Sequence, residues 1–239
     1  DDTGNFDEVY LFGDAVKPGK VGGANGGDIA FVDNRPPRGF AAAFNGKNLS
    51  GWKGLMAGGN GNPIKRAALG KEAYKAAQAE ADADMKAHWQ VVDGALVFDG
   101  KGRSLCTARD YGDFEMLVDW KIKEKGDSGI YLRGSPQVQI WDPKLRNIGS
   151  GGLYNNQKNP SSPPVIADKP VGEWNSFRIK MVGEKVWVWL NGVRVVDNVT
   201  LENYWDRKQP IFSTGQIELQ NHGNTLYFKN VFLREIPRK

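Results

Sequence analysis

Three short segments carry most of the side chains that could act on a polyhydroxylated ligand. They are Gly129-Ile-Tyr-Leu-Arg133, Gln137-Val-Gln-Ile-Trp-Asp142 and Gln216-Ile-Glu-Leu-Gln220, with His222 just beyond. Each alternates apolar and polar residues, and successive side chains of a strand point to opposite faces. Ile130, Leu132, Val138, Ile140, Ile217 and Leu219 then belong to a core. Tyr131, Arg133, Gln137, Gln139, Trp141, Glu218 and Gln220 belong to the opposite face, with Asp142 at a strand end. An ordinary solvated face would carry Lys, Thr, Ser and Glu. This one carries planar amides, a guanidinium, a carboxylate and aromatic rings, which hydrogen-bond hydroxyls or stack on a sugar ring. For these groups to share one site, the three strands must be neighbours.

The elements that would position them are mostly strands. Gln90 to Phe98 holds Asp93-Gly94 between two apolar runs, and Val186 to Val196 holds Asn191-Gly192, both strong hairpin signals. Alternation also marks 114–122, 176–181 and 226–234. Strands at this spacing, separated by Gly and Asn turns, predict an all-β sandwich or jelly roll. One helix interrupts the pattern, over about 63–88: Asn62 can cap it, Pro63 suits its first position, and Ala67 to Ala87 is rich in helix formers. Residues 1–38, rich in Gly, Asp and Pro, with a short strand at Val9–Phe12, read as an arm packing on a single domain of 39–239.

Composition narrows the function. A net charge of +4 with Lys and Arg scattered argues against nucleic acid as a partner. No apolar run approaches the length of a membrane span. The single thiol, Cys106, excludes an internal disulfide, and the two His, His88 and His222, cannot build a His-rich metal site. A structural Ca²⁺ held by Asp, Asn and backbone oxygens would suit such a fold. Asp127, in Gly126-Asp-Ser-Gly129, shapes a loop or reaches the ligand.

A series of motifs adds to this. Phe44-Asn-Gly-Lys-Asn-Leu-Ser-Gly-Trp52, Trp89-Gln-Val-Val-Asp-Gly-Ala-Leu96, Tyr111-Gly-Asp-Phe-Glu115, Gly126-Asp-Ser-Gly-Ile-Tyr-Leu-Arg133, Gln137 to Asp142, Gly172-Glu-Trp-Asn175, Leu190-Asn-Gly-Val193 and Gly215 to His222 follow one another in order. Together they resemble the 3-keto-disaccharide hydrolase family (DUF1080), from about Phe40 to Glu235. The resemblance implies a concanavalin A/laminin G-like jelly-roll sandwich and an exported protein, periplasmic, cell-surface or secreted. It also implies action on glycosides whose sugar carries a ketone at C3. Two features depart from the family pattern: Gln137 stands where many members have an acid, and the shortest members lack the helix.

A C3 ketone acidifies the neighbouring C2–H. A base can take that proton, the enolate can expel the C1 substituent, and water can add back. Such a reaction needs a base, an enolate stabiliser and an acid. The candidates are Glu218 as base, Arg133 as stabiliser and His222 as acid, with Asp142 a second acid/base group. Tyr131, Gln137, Gln139, Trp141, Gln220 and Asp127 would bind the sugar. Direct hydrolysis would instead need two flanking carboxylates, such as Asp142 and Glu218. The competing expectation is a non-catalytic carbohydrate-binding module using the same face. Convergence of Arg133, Glu218 and His222 in one pocket edged by Trp141 would favour the enzyme.

Overall fold

A computed structural model describes residues 33–238. The expected strand at Val9–Phe12, and most of the 1–38 arm, lie outside the described residues. The chain runs β1 (Ala41–Ala42), β2 (Trp52–Gly54), α1 (Pro63–Ala67), α2 (Lys71–His88), β3 (Trp89–Val92), β4 (Ala95–Phe98) and β5 (Leu105–Thr107). It continues through β6 (Phe114–Ile122), β7 (Asp127–Leu132), β8 (Ser135–Trp141), β9 (Asn175–Val182), β10 (Lys185–Leu190), β11 (Val193–Thr200), β12 (Glu218–Leu219) and β13 (Leu226–Glu235).

These strands form two antiparallel sheets, the jelly-roll sandwich that the alternating patterns predict. The larger has eight strands, ordered β11-β10-β9-β6-β13-β4-β3 with β1 added on β13, and the smaller has five, ordered β2-β5-β12-β7-β8. Ile130, Leu132, Val138, Ile140, Ile217 and Leu219 of the small sheet turn inward as expected. They join one core with Met116, Val118, Trp120, Phe177, Ile179, Val186 and Val188 of the large sheet. Burying each such side chain contributes about 1.5–3 kcal/mol. Both hairpin signals are realised: Asp93-Gly94 and Asn191-Gly192 have positive φ at both positions, the backbone that two-residue hairpin turns require.

The expected single helix over 63–88 is two helices. Asn62 caps α1, its side chain accepting from the Ile64 amide at 2.8 Å. The helix then stops, and Gly70 begins α2 with an extended backbone. Glycine in a helix interior costs about 1 kcal/mol relative to Ala, which makes Gly70 the natural break. Helix α2 lies against edge strand β2. The Gly54 amide donates to Asp82 Oδ1 at 3.0 Å, and Gln78 Nε2 donates to the Gly54 carbonyl at 3.0 Å. A Cβ at Gly54 would stand 1.9 Å from the Ala81 carbonyl oxygen, so only glycine permits this contact.

Asp33 and Asn34 sit on the outer side of the large sheet, where Asn34 pairs with Asn230 and Asp33 with Lys229. Trp52 and Trp89 are core residues. Trp174 is not: it is half-buried on the large sheet's outer face beneath Lys121 and Lys229.

Candidate functional site

Register places the expected polar groups on adjacent strands. Lys53, Cys106, Glu218 and Tyr131 stand opposite one another across β2, β5, β12 and β7, one row on the outer face of the small sheet. Gly129 pairs with Gln139 of β8, and its carbonyl accepts the Gln220 amide at 2.9 Å. A Cβ at Gly129 would meet Gln137 Cδ and Gln220 Oε1 at 3.0 Å. The missing side chain lets two amides close over the sheet.

Above them lies a pocket of about 340 Å³. Its floor and near wall are Tyr131, Gln137, Gln139, Gln220, Asp127 and His222, with Trp141 beside them. All seven belong to the groups singled out in the sequence. A hydrogen-bond chain fixes the floor. Gln137 Nε2 donates to Gln139 Oε1, and Gln139 Nε2 donates to Asp127 Oδ1 at 2.8 Å. Asp127 Oδ2 lies 3.7 Å from His222 Nδ1. Gln220 Nε2 approaches the Tyr131 hydroxyl at 3.4 Å, and Gln220 Oε1 is buried without a partner. An orphaned buried acceptor costs about 1–3 kcal/mol. Burial, and then the Glu218 carboxylate, hold the Tyr131 phenol well above its ordinary range, so it stays protonated as a donor.

The far wall comes from two connections that alternation could not reveal. The segment after β8 supplies Arg146, Tyr154 and Asn155, and the segment after β11 supplies Tyr204 and Trp205. The first is stitched to β8 by Gln139, whose amide donates to the Gly152 carbonyl while its own carbonyl accepts from Gly151. Trp141 Nε1 donates to the Ile148 carbonyl at 2.7 Å. Trp141 is itself only 5% exposed, covered by Tyr154 edge-on and by Arg146. It is a wall, and the rings that reach solvent are Tyr154 and Tyr204. The available signal was an aromatic beside Asn within a Gly- and Pro-rich loop, the kind of segment that carries binding residues.

Arg133, Glu218 and His222 do not converge: of the four catalytic candidates, only His222 lines the pocket. Arg133 is 1% exposed and turned away. It donates to the carbonyls of Gly112, Gly183 and Phe212, and it pairs with Asp113. Its φ of +54°, next to a register shift after Ile130, breaks the two-residue alternation. Asp142 is also buried and outside the pocket lining: its two oxygens accept from the Lys125 and Lys144 amides, capping the short 3₁₀ turn that starts at Pro143. Glu218 is on the expected face but only 2% exposed, beside Tyr131 and outside the pocket lining. Burial pushes its carboxyl up to about 7, against the pull of a Ser104 hydrogen bond and the Arg66 charge. Cys106, beside it, is buried and accepts from Gln216 Nε2, and burial raises its thiol too.

Among the described residues, no three His, Cys, Asp or Glu side chains gather as a metal site, and no helix is long and apolar enough to cross a membrane. What the pocket offers is one carboxylate beside one imidazole, an amide array, phenol donors and a guanidinium.

The fold and sequence have relatives. A 3-keto-disaccharide hydrolase of Bacteroides thetaiotaomicron is 22% identical over 248 aligned positions, which cover 81% of this chain and 77% of that one. Two solved structures of candidate glycosyl hydrolases from Parabacteroides distasonis share the fold. One has TM-score 0.63 at 23% identity, covering 86% of this chain and all of its own. The other has TM-score 0.61 at 26% identity, covering 84% and 85%. Residues 39–234 match the profile of the 3-keto-alpha-glucoside-1,2-lyase-like domain, and the chain belongs to that family.

Proposed function

We propose that this chain cleaves glycosides bearing a C3 ketone, by elimination across C1–C2 followed by hydration. One observation carries the reading: the pocket lining holds a single carboxylate, Asp127, next to a single imidazole, His222. Direct glycoside hydrolysis needs two carboxylates flanking the bond. Asp142 is spent on backbone amides, and Glu218 lies outside the lining. Elimination from a 3-keto sugar needs only one base.

The roles follow from position. His222, backed by Asp127, takes the C2 proton. Arg146 at the rim faces the enolate oxygen, the role first considered for Arg133. Tyr131, kept protonated, donates to the departing oxygen. Gln137 and Gln220 hold sugar hydroxyls. The C1–O bond then breaks as C1=C2 forms, and water returns a hydroxyl to C1 and a proton to C2. Family membership and the relative's activity on 3-keto-disaccharides support the substrate class.

The test is turnover of an aryl 3-keto-glucoside and the matching glucoside in D₂O. Release from the keto form alone, with deuterium at C2 of the product, is expected. Release without C2 label would overturn the elimination. Sugar binding with no release from either would make the chain a binding module.

A further inference from the structure

The helical insertion creates a second concavity, an open cleft of about 890 Å³ between α1, the start of α2 and the segment from Phe212 to Gly215. Ile64 and Tyr74 lie in it, and both are unusually exposed for large apolar residues. Lys53, Arg66 and Lys71 line it against one acid, Asp110. The lining is thus apolar with a positive balance, unlike the amide-rich pocket.

Cleft and pocket are adjoining. Pro63 of the cleft packs on Gly134, where a Cβ would come within 2.8 Å of Pro63 Cγ. The Gly134 carbonyl accepts Trp205 Nε1 of the pocket at 2.8 Å. The row from Lys53 to Tyr131 runs from one to the other across three strand spacings, about 14 Å, with Cys106 and Glu218 buried between. The cleft wall is firm, because Asp82 and Gln78 clamp α2 to Gly54. Arg66 is held by the carbonyls of Asn60 and Gly61.

We propose that this cleft receives the group leaving C1, and that it selects an aromatic aglycone carrying negative charge. This rests on the keto-glycoside reading above. When the C1–O bond breaks, its electron pair stays on the aglycone oxygen. That oxygen stays beside Tyr131, while the ring it belongs to meets the cleft's apolar wall and an anionic group on the ring's far side meets Lys53, Arg66 and Lys71. Ile64, Tyr74 and Phe212 offer apolar contact suited to an aromatic ring, and Lys53, Arg66 and Lys71 outnumber Asp110 beside it.

The experiment compares methyl and 4-carboxyphenyl 3-keto-glucosides with wild type, Tyr74→Ala and Lys71→Glu. Both substitutions suit a helix, the second because an acid is favoured in a first turn. Each variant is expected to lose about tenfold in kcat/KM on the carboxyphenyl substrate, the scale of one good contact, and less than about twofold on the methyl one. Equal losses on both, or none on either, would overturn the proposal. If wild type turns over neither substrate, the reaction assigned above fails instead. Calorimetry with 4-hydroxybenzoate then decides the cleft alone: binding lost in both variants upholds it, and no binding or unchanged binding refutes it.

Discussion

Glu218 and Tyr131 stand directly opposite each other on β12 and β7, on one face of the sheet, the carboxyl buried and the phenol forming part of the pocket floor. Burial raises the Glu218 carboxyl from 4.5 to about 7. The folded state therefore binds this proton more tightly than the unfolded chain. Its contribution is fully present below about pH 4.5 and is lost as pH rises through about 7, roughly 3 kcal/mol in all. Glu218→Gln keeps the shape without the charge. Urea unfolding at pH 5 and pH 8 should show wild type losing stability relative to this variant as pH rises. Parallel curves would mean that Glu218 is not held protonated.

The opposite sign is expected at Glu202. Its carboxylate accepts from the amides of Gln157, Lys158 and Asn159 at 2.7–3.0 Å and from Arg207 at 3.0 Å. Burial opposes ionisation here, but those amides win and hold the group near 2. Its stabilisation is present above the ordinary carboxylate range and lost as pH falls towards about 2. The residue also ties together the two segments that carry Tyr154 and Tyr204. Glu202→Gln should cost about 2 kcal/mol, the scale of hydrogen bonds to a charged group, and should raise KM more than it lowers kcat. Thermal melts and steady-state kinetics on one preparation check both.

Much of the fold and half of the site were legible in the sequence, for a shared reason. Period-2 alternation reports which face a residue occupies, so Gln137, Gln139, Tyr131 and Gln220 could be grouped before their neighbours were known. The same rule misplaced Arg133, because a register shift and a left-handed backbone reverse the face at the β7–β8 turn. It could not detect that Glu218, on the correct face, is buried and feels the Arg66 charge of the insertion rather than solvent. Tyr154, Tyr204 and Arg146 come from irregular segments whose positions depend on closure of the whole sandwich. Asp142-Pro143 offered a turn reading as well as a catalytic one, and its cap geometry follows the turn.

His222→Gln removes the proposed base while leaving an amide near Asp127. Turnover of a 3-keto-glucoside should fall by about 10²–10⁴, the usual worth of a general base. Sugar binding should change little, since Gln137, Gln139 and Gln220 remain. Asp127→Asn should give a smaller loss, because Asn can still accept from Gln139 while no longer backing the imidazole with charge. A His222 variant of full activity would move the base elsewhere.

Two arginines separate structure from catalysis. Arg133 ties the β7–β8 turn to Asp113 and three backbone carbonyls in a site closed to solvent. Removing Arg133 leaves three carbonyls without their donor, while Asp113 keeps Arg238 and the Gly183 amide, so the loss is about 3 kcal/mol, the low end for a broken buried pair. Arg133→Met should therefore lower the unfolding midpoint sharply, yet turnover per folded molecule should hold at temperatures where the variant is native. Arg146 is exposed over Trp141 and Tyr154, and its side chain has no ion-pair partner among the described residues. Arg146→Ala should shift the melting midpoint by little, since surface substitutions fall within about 0.5 kcal/mol. Its kcat on keto-glucosides should nevertheless drop by about 10–100-fold, because developing enolate charge loses a fixed cation. If Arg133→Met were the inactive but stable variant, the enolate would be held on the other side of the β7–β8 turn, and the pocket assignment would have to move with it.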